Sequence, residues 1–132
     1  NTAAAAIKSG GGTGFELVIY QNAALGDGRQ ANNPWLQEMP DPISKACWDN
    51  YVTISPMDAD GKYEYDPERM VAKVATLTVG GKTFEVPVLP QPGQAPGTLG
   101  IALGYGRTKA GKVADGVGVN AYPMLDASGK SV

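Results

Sequence analysis

The sequence predicts a mainly β domain built from short strands. Three observations carry this. The 132 residues include 18 Gly and 10 Pro, spread along the chain and falling between apolar runs. Those runs are five to ten residues long, and several alternate apolar with other residues, the period of a strand with one buried face. Helical signals are confined to two short stretches closed off by proline or glycine.

Residues 1–14 hold an Ala run followed by Ser9-Gly10-Gly11-Gly12-Thr13-Gly14, a flexible-linker composition, so the chain reads as a domain cut from a larger protein. Phe15–Tyr20 is the first strand, with Phe15, Leu17 and Ile19 on one face. Residues 21–33 form a polar loop turning at Gly26-Asp27-Gly28. Asn33 caps a short helix from Pro34, a residue suited to the first helical position, and Pro40 and Pro42 stop it. Tyr51–Ser55 is a β-branched strand, ended by Pro56, after which Pro56–Ala59 starts a helical turn.

Residues 60–67 read as loop and Met70–Val79 as the third strand. Gly80-Gly81 marks a two-residue hairpin, since both positions tolerate positive φ. The returning strand, Lys82–Val88, puts Phe84, Val86 and Val88 on one face, and Pro87 is expected at an edge or bulge because it cannot donate to a ladder. Thr98–Leu103 follows, with Leu99, Ile101 and Leu103 together. Val117–Tyr122 is a last short strand, and residues 126–132 are a tail.

The composition excludes several chemistries. The net charge is −2 and the basic residues are scattered, so no nucleic-acid footprint is present. No apolar run reaches the roughly 18 residues of a membrane helix, so no membrane insertion is expected. The chain has no His and one Cys, Cys47. That removes the commonest general base, an internal disulfide, a Cys-rich zinc site and a complete iron–sulfur ligand set. Cys47, between Ala46 and Trp48, reads as a buried small hydrophobe. No catalytic residue is identified: the serines have no His partner, and the adjacent Ser44 and Lys45 point apart.

Two clusters are candidate sites. Gly104-Tyr105-Gly106-Arg107-Thr108 follows a strand. It is either a loop whose backbone approaches a ligand while Arg107 pairs with a phosphate, or a glycine turn with a solvated Arg. Asn32, Asn33 and Trp35 form either a stacking and hydrogen-bonding patch or a helix cap beside a core Trp. Asp58, Asp60, Glu64 and Asp66 lack the spacing of a calcium loop and read as solvated acids. Trp48-Asp49-Asn50 reads as a core aromatic and a turn.

Together, Gly26-Asp27-Gly28-Arg29, Asn32-Asn33-Pro34-Trp35-Leu36-Gln37-Glu38, Trp48-Asp49-Asn50 and Ile54-Ser55-Pro56-Met57-Asp58-Ala59 resemble the C-terminal domain of the molybdopterin oxidoreductase family. Within it the chain is most similar to the B subunits of alternative complex III, a quinol-oxidising respiratory complex; Leu103–Gly111 and Gly116–Tyr122 share that likeness. The resemblance spans about residues 15–125. The chain departs from the pattern at Gly61–Pro67, where relatives carry a Leu-Gly and Gly-Asp turn.

This resemblance implies a six-stranded double-psi β-barrel with short flanking helices. In catalytic members the loops of this domain cap a molybdopterin dinucleotide; the B subunits lack the molybdenum cofactor. It therefore implies that Asn32, Asn33, Arg107 and Asn120 occupy former cofactor-facing loops. It implies no cofactor within this chain, iron–sulfur clusters elsewhere in the parent, and a non-catalytic packing role. The implied partners are neighbouring domains of the parent and other subunits of a membrane-associated complex, on the periplasmic side of the bacterial membrane. Two alternatives stand beside it: a genuine pterin-dinucleotide-binding domain, and a stand-alone carbohydrate- or protein-binding module using Trp35, Tyr63 and Tyr65.

Overall fold

A computed structural model describes residues 14–63 and 72–125. The expected linker at 1–14, apart from Gly14, the tail at 126–132, and Glu64, Tyr65 and Asp66 lie outside the described residues. Among the described residues the fold is mainly β, with two short helices and a 3-10 turn. Its elements run β1 (Glu16–Tyr20), α1 (Pro34–Glu38), β2 (Val52–Ile54), α2 (Pro56–Ala59), β3 (Val74–Val79), β4 (Lys82–Pro90) and β5 (Thr98–Ala102), then the 3-10 turn Tyr122–Met124.

The strands form one mixed sheet in the order β1-β5-β2-β4-β3. β5 runs parallel to β1, with Leu17 opposite Leu99, and antiparallel to β2, with Val52 opposite Ile101. β4 runs parallel to β2 through Val88–Pro90. Its earlier part forms a hairpin with β3, from Val79–Lys82 to Val74–Pro87. Gly80 and Gly81 close that hairpin at φ 56° and 77°, the geometry their lack of a side chain permits.

Among the described residues there are five strands where six were expected, and the sheet is not closed into a barrel. All five strands contribute to one apolar groove of about 790 Å³, with Leu17 of β1 and Leu77 of β3 among its lining. The core beneath joins Leu17, Val52, Ile54, Val86, Val88, Leu99 and Ile101 to Leu103, Ala121 and Met124. Burial of such aliphatic side chains contributes roughly 1.5–3 kcal/mol each.

The expected last strand, Val117–Tyr122, is irregular and ends in the 3-10 turn. Asn50 accounts for this. Its side chain binds both the N–H and the C=O of Val119, the groups a ladder would use. Pro87 also differs from expectation, because β4 lies inside the sheet. The Val88 N–H donates to Lys73 O on the β3 side. The Pro87 nitrogen therefore points toward β2, where pairing starts only at Val88.

α1 forms where its caps predict: the Trp35 N–H donates to Asn33 Oδ1 at 3.1 Å, and Pro34 opens the first turn. Of the two positions the sequence leaves open for Trp35, core or surface patch, the structure takes the surface: the ring is 82% exposed, and Gln37 is buried instead. Two residues along a helix are about 200° around its axis, so these side chains cannot share a face. Gln37 turns inward because its Nε2 donates to Ala31 O at 2.9 Å. Cys47 is exposed rather than buried. It sits in the turn between α1 and β2, closed by Asp41 N–H to Ala46 O, and its thiol donates outward to Glu38 O at 3.4 Å.

Candidate functional site

Three loops converge beyond the end of β5: residues 21–33, 103–108 and 117–122. Glycines allow them to meet backbone to backbone. A Cβ on Gly28 would lie 2.6 Å from Gly104 Cα, and one on Gly106 would lie 2.1 Å from Asn120 N. Both are far below van der Waals contact, and both glycines have positive φ.

The first loop is shaped by its own polar side chains. Asn22 Oδ1 accepts the Leu25 N–H at 2.8 Å, and Asp27 Oδ1 accepts the Arg29 N–H at 3.1 Å. Leu25 is buried beneath the loop and anchors it. Asp27 Oδ2 also pairs with Arg29 Nε at 2.8 Å. Across the junction, Arg107 Nη1 donates to Asn32 Oδ1 at 2.9 Å and to Ala31 O. Ala31 O thus takes donors from both Arg107 and Gln37. The Tyr122 hydroxyl donates to Asp27 O, tying the third loop to the first.

Around these contacts lies an open groove of about 330 Å³. It brings together three of the four residues singled out in the sequence: Asn32, Arg107 and Asn120. Asn33 does not line it and serves as the α1 cap. The Asn120 side chain is engaged locally, accepting the Tyr122 N–H at 3.0 Å. Tyr105, from the Gly104–Thr108 candidate loop, also lines the groove, and so do Arg29 and Tyr122, neither singled out in the sequence as a site residue. The Gly26-Asp27-Gly28 turn signal was the available pointer to Arg29; nothing in the sequence marked Tyr122.

Behind the groove is a half-buried polar cluster. Asn22 Nδ2 donates to the Tyr105 hydroxyl at 2.6 Å, while Ser44 Oγ shares hydrogen bonds with Tyr51 and Asp41. Burial pushes the Tyr20 hydroxyl up to about 12, helped by the neighbouring Tyr51, Asp41 and Tyr105 charges. Burial raises Tyr51 and Tyr105 as well. For Asp41, burial acts upward, but hydrogen bonds from the Ser44 and Ile43 N–H groups and the Ser44 and Tyr51 hydroxyls outweigh it, holding the carboxyl below its ordinary value. Asp49 is raised by burial, and its Oδ1 is buried with no donor from the protein.

The candidate aromatic patch divides. Trp35 is open to solvent, Tyr63 packs against the core, and Tyr65 lies outside the described residues. Trp48 is half-buried at φ 67°, held by its N–H to Gln37 O at 3.0 Å. Asp58 Oδ2 accepts the Gly97 N–H at 2.7 Å and so joins the loop before β5 to α2. Among the described residues no group of three or more His, Cys, Asp or Glu side chains is placed to hold a metal ion. No helix among them is long and apolar enough to cross a membrane. No protein-family model matches the chain, and no curated protein matches it.

Proposed function

We propose that this domain is a non-catalytic packing module of a molybdopterin-oxidoreductase-like, iron–sulfur electron-transfer subunit in a quinol-oxidising respiratory complex. One observation carries the reading. Polar groups that a cofactor would need are engaged within the protein: Arg107 to Asn32 and Ala31 and Tyr122 to Asp27 hold loops to each other, and Asn120 is taken up locally by the Tyr122 N–H. With one Cys and no His, the chain supplies no ligand set for a cluster, so the iron–sulfur centres belong elsewhere in the parent protein. In this reading its partners are neighbouring domains and other subunits on the periplasmic side of the membrane.

The finer fold in this reading is a six-stranded double-psi β-barrel. Two features support it. The strand order is non-sequential: the β1–β2 connection passes one end of β5, and the β4–β5 connection passes β2 at the opposite end of the sheet, so strands distant in the chain alternate as they do in such a barrel. The sheet is curled enough for both edge strands, β1 and β3, to line one groove.

A second reading, a working pterin-dinucleotide-binding domain, is favoured by the groove itself. Glycine backbone, the Asn32 and Asn120 amides and the Arg107 guanidinium suit a phosphate or a heterocycle edge. At about 330 Å³ the groove covers a part of such a ligand, as a capping domain would. A third, a stand-alone binding module, is favoured by the exposed Trp35 ring.

Elemental and pterin analysis of the intact parent protein separates these. Iron without molybdenum or pterin is the expected result. Stoichiometric molybdenum and pterin would establish the second reading, and a parent with neither iron nor a cysteine-rich segment would leave only the third.

A further inference from the structure

The groove has a charge character that the loop-to-loop contacts leave unused. The chain is net negative, yet the rim of this junction is basic. Arg29 is exposed and Arg107 is half-buried at the groove, while Lys109 and Lys112 are exposed on the loop that leaves Arg107. That loop is closed at its base by the Gly116 N–H to Arg107 O at 3.1 Å. Two acids stand among them: Asp27, itself a groove residue, pairs with Arg29 Nε at 2.8 Å, and Asp115 accepts the Ala110 and Gly111 N–H groups. The four basic side chains therefore keep an excess of two charges, and Arg29 keeps its Nη groups free for a ligand. The aromatic side chains Trp35 and Tyr122 are exposed on the flanking elements. Arg, Trp and Tyr are the residues that most often carry binding energy at protein interfaces.

Building on the packing role proposed above, we propose that this groove docks an acidic segment of a neighbouring polypeptide, whose carboxylates pair with Arg107 and Arg29. Only Nη1 of Arg107 is held by Ala31 O and Asn32 Oδ1. A guanidinium carries five donors, so a carboxylate can be gripped by those that remain. Gly28, Gly104 and Gly106 let the three loops close on one another, and the groove along that junction is where an extended segment lies. Lys109 and Lys112 extend the positive field and speed encounter rather than fix geometry.

The test is an amide chemical-shift titration of this chain at low ionic strength, with a hexaglutamate peptide as probe and inorganic pyrophosphate in a parallel arm. The peptide is expected to shift Gly28, Gly104 and Gly106 and the Arg107 side chain, and to lose affinity as salt is added. R29A is expected to weaken it about 2- to 5-fold, the range of a single exposed ion pair at low salt. K109A/K112A is expected to act similarly. Both substitutions lie on exposed side chains and spare the Arg107 contact that holds the loops. Shifts scattered over the surface, unchanged binding in both variants, or binding of pyrophosphate alone would overturn the proposal. Such a failure, with the parent still containing iron and no pterin, would leave the packing role intact.

Discussion

Asn50 and Val119 hold each other from both sides: Asn50 Nδ2 donates to Val119 O at 2.9 Å, and the Val119 N–H donates to Asn50 Oδ1 at 2.7 Å. The same Nδ2 reaches Ala102 O at the end of β5. One buried amide therefore fastens the third loop to the sheet, 69 residues away in sequence. Asn50→Ala leaves these backbone groups unsatisfied. It is expected to cost about 3 kcal/mol in a urea melt, the scale of losing a buried multi-bond side chain. Asn50→Asp keeps the acceptor but sets a carboxylate against two carbonyls, so it should be no milder.

The glycine junction makes a second prediction. Gly106→Ala forces a Cβ into Asn120 N at positive φ, and about 3 kcal/mol or more of destabilisation is expected. Gly111 has φ 95° and open space around it. Gly111→Ala bears the backbone strain alone and should cost about 1 kcal/mol. Equal effects in chemical denaturation would show that the loops do not meet as closely as described.

Tyr20 sets an alkaline limit. Its folded value is raised from 10.0 to about 12, so the neutral hydroxyl favours the fold. That contribution is fully present below pH 10 and is lost as pH rises through about 12. Tyrosinate absorbance should show one hydroxyl ionising last, together with the loss of native circular dichroism. Tyr20→Phe should remove that final step.

Trp35→Ala should change stability by no more than about 0.5 kcal/mol, because the ring is exposed. Gln37→Ala should cost about 1 kcal/mol by removing one buried hydrogen bond, since Ala31 O keeps its Arg107 donor. Acrylamide should quench the Trp35 emission freely and the Trp48 emission less, since Trp48 is half-buried.

Local signals in the sequence located most of the elements. The Asn33-Pro34 cap, the helical turn from Pro56, the Gly80-Gly81 hairpin and the β5 alternation each rest on short-range chemistry, and each forms as read; the Ser55 cap of that turn is seen only in the structure. What failed depended on distant partners. Val117–Tyr122 has strand composition, but Asn50 takes its backbone groups. The sequence leaves Trp35 open between core and surface, and the choice is made by the Ala31 carbonyl, which draws Gln37 inward. Cys47 lies in a tight turn whose hydrogen bonds turn its thiol outward. At the groove, Asn32, Arg107 and Asn120 do converge. Their pairing is invisible in sequence because Arg107 and Asn32 are 75 residues apart.

β4 changes neighbours in mid-course: residues up to Pro87 pair with β3, and those from Val88 pair with β2. The two ladders meet at Val88, which pairs with β2 while its N–H donates to Lys73 O on the β3 side. Opening the β3–β4 hairpin about the Pro87–Val88 joint breaks that bond and exposes Val79 and Val86, but leaves every rung joining β1, β5 and β2 in place. Amide exchange in the hairpin should accordingly report a local opening of its own, at lower free energy than release of the central three strands.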